Sequence, residues 1–368
     1  MNIFFQAAFE EGLRAYIASL QTGDSPYAFI PCRQGLTPVG QSVALGFSCF
    51  ALKIYYMLGL WPTLTPVQQQ RWLDFIRSFQ QSAGATPDIS GAYIDPAMVS
   101  YLKRSVGWKV KLRRLLPNRQ PEYFQQVILA ETKQAIATLA QVGADSPLPF
   151  RGFPSRPAAL RDRLTALDWR QPWAAGGQAS ALAVFAQVEA TRFLPAAEAS
   201  ALQDICGQVF EAVADRQTGG YFKGTAPDYG QLINGSMKVL TGLDWLERPI
   251  HYPKALIDTC LSQMPKAEGC HLVDAVYVLY RCAQQTDHRR MDIQDYCRAV
   301  LALIDQHLNP DGGFSYFVGR SQTHYYSVPI AQGAAVSDIH GTCLMVWALA
   351  MLFELLNVET RRWHVIKP

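Results

Sequence analysis

Leu308-Asn309-Pro310-Asp311-Gly312-Gly313-Phe314-Ser315-Tyr316-Phe317 is the stretch that decides how this chain folds. It follows an apolar run and sets two glycines before an aromatic residue. Gln217-Thr218-Gly219-Gly220-Tyr221-Phe222 repeats the pattern upstream, and shorter copies stand at Gly91-Ala92-Tyr93 and Gly152-Phe153. Each copy follows an amphipathic helical stretch and precedes one that opens on small and polar residues. Turns recurring in this way between helices are the mark of a helical-hairpin array with loops of unequal length. One such hairpin cannot bury its apolar face alone, so the copies must stack or close into a ring.

Composition agrees with an all-helical domain. The chain has 368 residues, 49% of them hydrophobic and 17% charged. A buried layer between two sets of helices needs that excess of apolar surface. A formal charge of +3 is too small to argue for nucleic acid. Apolar runs fall short of a membrane span. Met1-Asn2-Ile3-Phe4-Phe5 leads into Glu10, Glu11 and Arg14 without a basic segment or a cleavage site, so a cytoplasmic protein is expected. Eight cysteines at irregular spacings, with no CxxC, fit reduced thiols.

Outward from the turns, helices alternate. Gln41 to Leu52 is apolar almost all round and reads as an inner, buried helix. Gln68 to Gln81 carries Trp72, Phe75, Ile76 and Phe79 at helical spacing and reads as an outer one. Further helices are expected over 127–139, 157–170, from Pro172, over 196–215, 232–246, 272–282, 291–307 and 338–356. Alanine and glycine after Pro172 suit close approach of neighbouring backbones. Tyr101 to Arg119 departs from the pattern: Lys103, Arg104, Lys109, Lys111, Arg113, Arg114 and Arg119 interleave with apolar residues. It reads either as a solvated outer face or as a contact with anionic lipid, hence a peripheral membrane site, or with a diphosphate. The expected fold is an all-α (α/α) barrel, or toroid, of five to six hairpins forming a single domain over residues 1–368.

The outer helix ending in Asn-Pro-Asp-Gly-Gly-Phe, with Ser337-Asp338-Ile339-His340-Gly341-Thr342-Cys343 opening an inner helix, resembles the prenyltransferase and squalene-cyclase repeat. The resemblance is best in the C-terminal half. It implies a greasy funnel lined by inner helices that takes a hydrophobic isoprenoid substrate. His340 in His-Gly-Thr-Cys is similar to the zinc histidine segment of protein prenyltransferases, and Asp274 stands where their aspartate is expected. Val276 fills the position of the ligand two residues on, and Cys270 and Cys282 are poor replacements. No cofactor is therefore expected, with zinc, or magnesium on a diphosphate, as the alternatives. No DxDD motif of the cyclases is present, and Asp292-Ile293-Gln294-Asp295 has the wrong spacing on an outer helix.

Four polar residues near inner-helix starts remain as catalytic candidates: Asp338, His340, Asp274 and Asp228. Acid-initiated cyclisation or isomerisation needs a carboxylic acid kept protonated by apolar surroundings, and Asp338 or Asp274 is cast in that role. Helix capping is the plainer reading of Asp338 and Asp274. Trp173, Tyr221, Phe222, Tyr277, Phe314, Tyr316, Tyr326 and Trp347 are core aromatics that would also suit a carbocation. Asn234 and Lys238 lie on one otherwise apolar helix, where Lys238 either snorkels or holds an anion. Prenyl transfer is the near alternative. Carbohydrate chemistry in an α/α barrel is a second, with Asp228 and Asp274 as paired carboxylates or Tyr326 and His340 as a proton-transfer pair. A barrel that binds without catalysis is a third.

Overall fold

The computed structural model of the chain describes residues 7–23, 25–84, 89–112, 120–358 and 363–368, with the side chains of 7, 105–112 and 120–123 left aside. Its elements are α1 (Ala7–Ser19), β1 (Gln21–Thr22), β2 (Ser25–Phe29), α2 (Leu45–Met57), α3 (Pro66–Arg77), α4 (Pro96–Leu112) and α5 (Gln120–Gln141). Then come α6 (Pro157–Thr165), α7 (Pro172–Gln187), α8 (Glu189–Phe193), α9 (Ala196–Val213), α10 (Tyr229–Trp245) and α11 (Pro253–Leu261). The chain ends with α12 (Gly269–Ala283), α13 (Arg290–Asp305), β3 (His324–Tyr325), β4 (Val328–Pro329) and α14 (Ile339–Leu355). The class is all-α, as the sequence leads one to expect. The strands are two short antiparallel ribbons, β1–β2 and β3–β4. Most of the basic stretch over 101–119 lies outside the described side chains. Among the described residues no helix is long and apolar enough to cross a membrane.

The chain divides into two compact units, one of residues 1–148 with 306–343, the other of 149–305 with 344–368. In the first unit Trp72 of α3 is a hub. Its ring meets Phe29 and Tyr55 at centroid distances of 5.5 and 5.0 Å, and its indole N–H donates to Ser48 Oγ at 2.9 Å. The tryptophan thus buries its apolar body without orphaning its polar edge. A capping box formed by Thr65 and Gln68 starts α3.

Three of the four glycine-aromatic turns share one construction. Gly91, Gly219 and Gly312 take φ of 75°, 73° and 88°, which a side chain disfavours. Each turn folds back so that its aromatic pairs with a residue just past the preceding outer helix: Gln80 with Tyr93, Ala214 with Tyr221, Leu308 with Phe314. The aromatics are fully buried. In the first unit a threonine of the next inner helix clamps the aromatic's backbone. Thr132 Oγ1 lies 3.1 Å from the Tyr93 N and 3.4 Å from its O; Thr342 Oγ1 does the same for Phe314 at 3.0 and 3.1 Å. A buried carboxyl group then takes the N–H two residues on, Glu131 that of Asp95 and Asp338 that of Tyr316. Gly152-Phe153 lacks the positive φ and the bridge, so it is a turn of another kind.

In the second unit α7 and α10 pack backbone to backbone. A Cβ on Gly176 would stand 2.9 Å from the Gly235 O, and one on Gly235 would meet Pro172 Cβ at 2.7 Å. The alanine- and glycine-rich start of α7 serves that close approach. α10 packs on its other side against α12, and this seam carries the site.

Candidate functional site

The α10–α12 seam is lined by polar side chains that meet in register. Asn234 Nδ2 of α10 is 3.1 Å from His271 Nδ1 of α12. Further along, the Tyr277 hydroxyl donates to Asp244 Oδ2 at 2.8 Å, and Arg281 pairs with Asp244 Oδ1 at 2.7 Å. Residue numbers rise together on both helices, so the two run parallel. The Asn234–His271 end opens into a cavity of about 590 Å³ whose wall includes Trp173, Asp228, Asn234, Lys266 and His271.

Local structure fixes each of these groups. Asp228 caps α10, its Oδ1 accepting the Gln231 N–H at 3.0 Å. Gln231 in turn accepts the backbone N–H of Trp173 at 3.4 Å, tying the start of α7 to the start of α10. The Tyr229 hydroxyl donates to the carbonyls of Cys260 and Gln263 at 2.8 and 2.9 Å, holding the loop after α11 in place. The Trp173 ring meets His271 edge-on, with centroids 5.6 Å apart.

Gly230 brings the acid and the imidazole together. A methyl group at its Cα would touch Asp228 Oδ1 at 3.3 Å and His271 Cε1 at 3.6 Å. Burial lowers the His271 pKa below its ordinary 6.5, while Glu268, with Oε2 at 3.9 Å from Nε2, pulls it back up. The ring is therefore neutral at pH 7. Because the Asn234 amide nitrogen donates, Nδ1 is the acceptor and the ring proton sits on Nε2. The site offers an aromatic ring, an N–H donor fixed in one tautomer, an exposed carboxylate and the Lys266 ammonium.

The residues proposed from sequence distribute as follows. Trp173, Asp228 and Asn234 line this cavity. Lys238 and Asp274 lie one helical turn further along the same seam. Asp274 is buried and its Oδ2 has no hydrogen-bond partner among the described residues; burial lifts its carboxyl to about 6, against the pull of Lys238. Tyr277 is part of the seam, with its ring tilted against Trp347 at a centroid distance of 5.1 Å, and both are core residues. Tyr221 is buried with its hydroxyl 3.1 Å from His251 Nδ1, and Phe222 follows it half-buried.

The first unit holds the others. Asp338 accepts backbone N–H groups of Tyr316, Gln322 and Gly341 at 2.7, 2.9 and 2.7 Å. Burial lifts its carboxyl to about 6 even so. His340 stacks on Phe50 at 4.5 Å, lies 5.3 Å from the Tyr316 ring, and has Nδ1 2.9 Å from Gln322 Oε1. Phe314 is the buried turn aromatic, and Tyr326 packs on Tyr325 at 4.5 Å with a φ of 44°. Cys343 is buried near Lys53. Among the described residues no three His, Cys, Asp or Glu groups converge as metal ligands would.

Sequence reasoning missed His271 and Glu268. Apolar periodicity starts this helix at Leu272, whereas α12 begins at Gly269, so both residues fall outside the pattern.

No family model and no curated protein matches the chain. Two solved structures align along nearly all of it. A polysaccharide lyase is 10% identical with a TM-score of 0.48, over 97% of this chain and 100% of its own. A possible member of the GH105 family from Salmonella enterica serovar Paratyphi A is 11% identical with a TM-score of 0.39, over 95% and 93%. Neither is a prenyltransferase or a squalene cyclase, and the resemblance to that family is corrected here. The physical reason is that the turn carrying the resemblance is, in this chain, backbone geometry: positive-φ glycines, a bridged aromatic and, in the first unit, a threonine clamp, which carry no chemistry of their own. The isoprenoid partner is corrected with it: the cavity wall sets His271, Asp228, Lys266 and Asn234 among Trp173, Ile233 and Met264, which is not the wholly apolar funnel the resemblance implies.

Proposed function

We propose that the chain is a carbohydrate-active enzyme, a lyase or a glycosidase, working by acid–base catalysis in the cavity at the α10–α12 seam. The observation that carries this is the convergence of Asp228, Trp173 and the Asn234–His271 pair on one cavity. A sugar needs an aromatic surface for its ring hydrogens and fixed donors and acceptors for its hydroxyls. Trp173 supplies the first, and the Asn234–His271 pair the second. His271, neutral and with its proton on Nε2, polarises a sugar oxygen by donating to it. Asp228, exposed on the same wall, is the carboxylate that accepts a proton.

The test is a panel of plant, algal and bacterial polysaccharides incubated with wild type and His271→Gln, with new reducing ends and unsaturated sugar products measured. Cleavage of at least one glycan, reduced about 100-fold or more in the variant, supports the reading. Equal rates for the two proteins, or no cleavage across the panel, overturns it. Unsaturated products assign the lyase branch, and saturated ones the glycosidase branch.

A further inference from the structure

Two rungs of the α10–α12 seam are closed by protein hydrogen bonds and an ion pair. Asn234 meets His271, and Asp244 takes both Tyr277 and Arg281. The open rung is Lys238 and Asp274. Asp274 follows His271 by three residues on α12 and Lys238 follows Asn234 by four on α10, so both lie one turn along from the cavity-lining pair. Asp274 is 2% exposed, and its Oδ2 has no hydrogen-bond partner among the described residues. Lys238, half-buried, acts on it electrostatically, yet no ion pair between the two occurs among the described residues.

A carboxylate oxygen left unpaired in the interior is costly. The side chains on either side are engaged with one another, so the partner of this oxygen has to come from outside the seam. That partner must donate to Asp274 and accept from Lys238 at once. A hydroxyl group, of water or of an alcohol that displaces it, does both; a carboxylate or phosphate cannot donate and is repelled by Asp274, and an ammonium is repelled by Lys238. We infer that Asp274 and Lys238 form a hydroxyl-reading subsite beside the cavity, in which one sugar hydroxyl bridges the two side chains. The inference rests on the carbohydrate reading above and makes the pair specificity-determining.

The experiment uses the full chain with the methyl pyranosides of glucose, galactose, mannose and xylose as probes. Nuclear magnetic resonance follows the carboxyl carbon of Asp274 and the indole N–H of Trp173. The expected result is that at least one glycoside shifts both signals and that the epimers differ in affinity. Asp274→Ala then weakens the preferred glycoside about tenfold, the worth of one such hydrogen bond, and erases the difference between epimers. Asp274→Asn, which keeps an acceptor and nearly the same shape, recovers part of the loss, and Lys238→Met reproduces it without touching the buried acid. If a glycoside shifts Trp173 with the same affinity and epimer preference in wild type and Asp274→Ala, the subsite is overturned while the cavity reading stands. If no glycoside shifts either signal, both fall.

Discussion

The Asp338 carboxylate accepts the backbone N–H of Tyr316 at 2.7 Å, two residues past the aromatic of the turn that Thr342 clamps. Glu131 stands in the same relation to Asp95, so two repeats of the first unit use one device. Asp338 also takes the N–H groups of Gln322 and Gly341, and its role is to hold loop backbone against a helix start. Asp338→Ala leaves three N–H groups without their acceptor and is expected to cost about 3 kcal/mol or more. Asp338→Asn, which keeps a carbonyl oxygen, should lose less than half as much. Chemical denaturation of the two variants checks the order.

The Asn234–His271 pair predicts a pH profile. Activity that needs neutral His271 persists below pH 6.5, because burial holds the imidazole under its ordinary value. Glu268 opposes that shift, so Glu268→Gln should move the acid limb of kcat/KM to still lower pH. Asn234→Ala releases the tautomer lock and should lower kcat about 10- to 100-fold with little change in melting temperature. A limb that stays put in Glu268→Gln would assign the titration to another group.

Much of this architecture is legible in the sequence, and the reason is local. The glycine-aromatic turns announce themselves because positive φ demands glycine, and the apolar runs of α2, α10 and α14 are written in consecutive residues. What the sequence hides is made by distant residues. Thr132 and Glu131 acquire their roles from a turn some forty positions earlier, and no spacing rule reveals them. His271 meets Asn234 because two helices run parallel in register, which a one-dimensional reading cannot see. The terpenoid resemblance misleads for the complementary reason: the turn that carries it is backbone geometry and says nothing of chemistry.

Two glycines separate structural from functional need. Gly312 has a φ of 88°, and a Cβ there would stand 2.6 Å from the Gly12 O. Gly312→Ala is expected to destabilise by about 2 kcal/mol or more, from strain and clash together. Gly230 has neither problem; an added methyl meets the Asp228 and His271 side chains at 3.3 and 3.6 Å and otherwise fills cavity space. Gly230→Ala should leave stability within about 0.5 kcal/mol and lower kcat/KM for the glycan that wild type cleaves. Thermal unfolding and steady-state kinetics on both variants test the contrast.

Buried ionisable groups of the first unit set the pH dependence of stability. Burial, reinforced by the nearby Asp95, lifts Glu131 from 4.5 to about 8. The folded chain therefore holds a proton that the unfolded chain releases between pH 4.5 and 8. Stability from this group is full below 4.5 and is lost as pH rises through that window. Lys53, buried in α2, has the opposite slope. Burial lowers its pKa, offset by Cys343 and Cys49, so its cost is full below the folded value and is relieved as pH climbs toward 10.5. Glu131→Gln keeps an acceptor for the Asp95 N–H and removes the charge, so it should flatten the decline and stabilise the protein at pH 8 by about 2 kcal/mol. Lys53→Met should stabilise at neutral pH by about 1–3 kcal/mol, since it replaces a buried amine with an apolar chain of similar length. Unfolding free energies between pH 5 and 9 decide both. A Glu131→Gln curve parallel to wild type would mean that another group carries the slope.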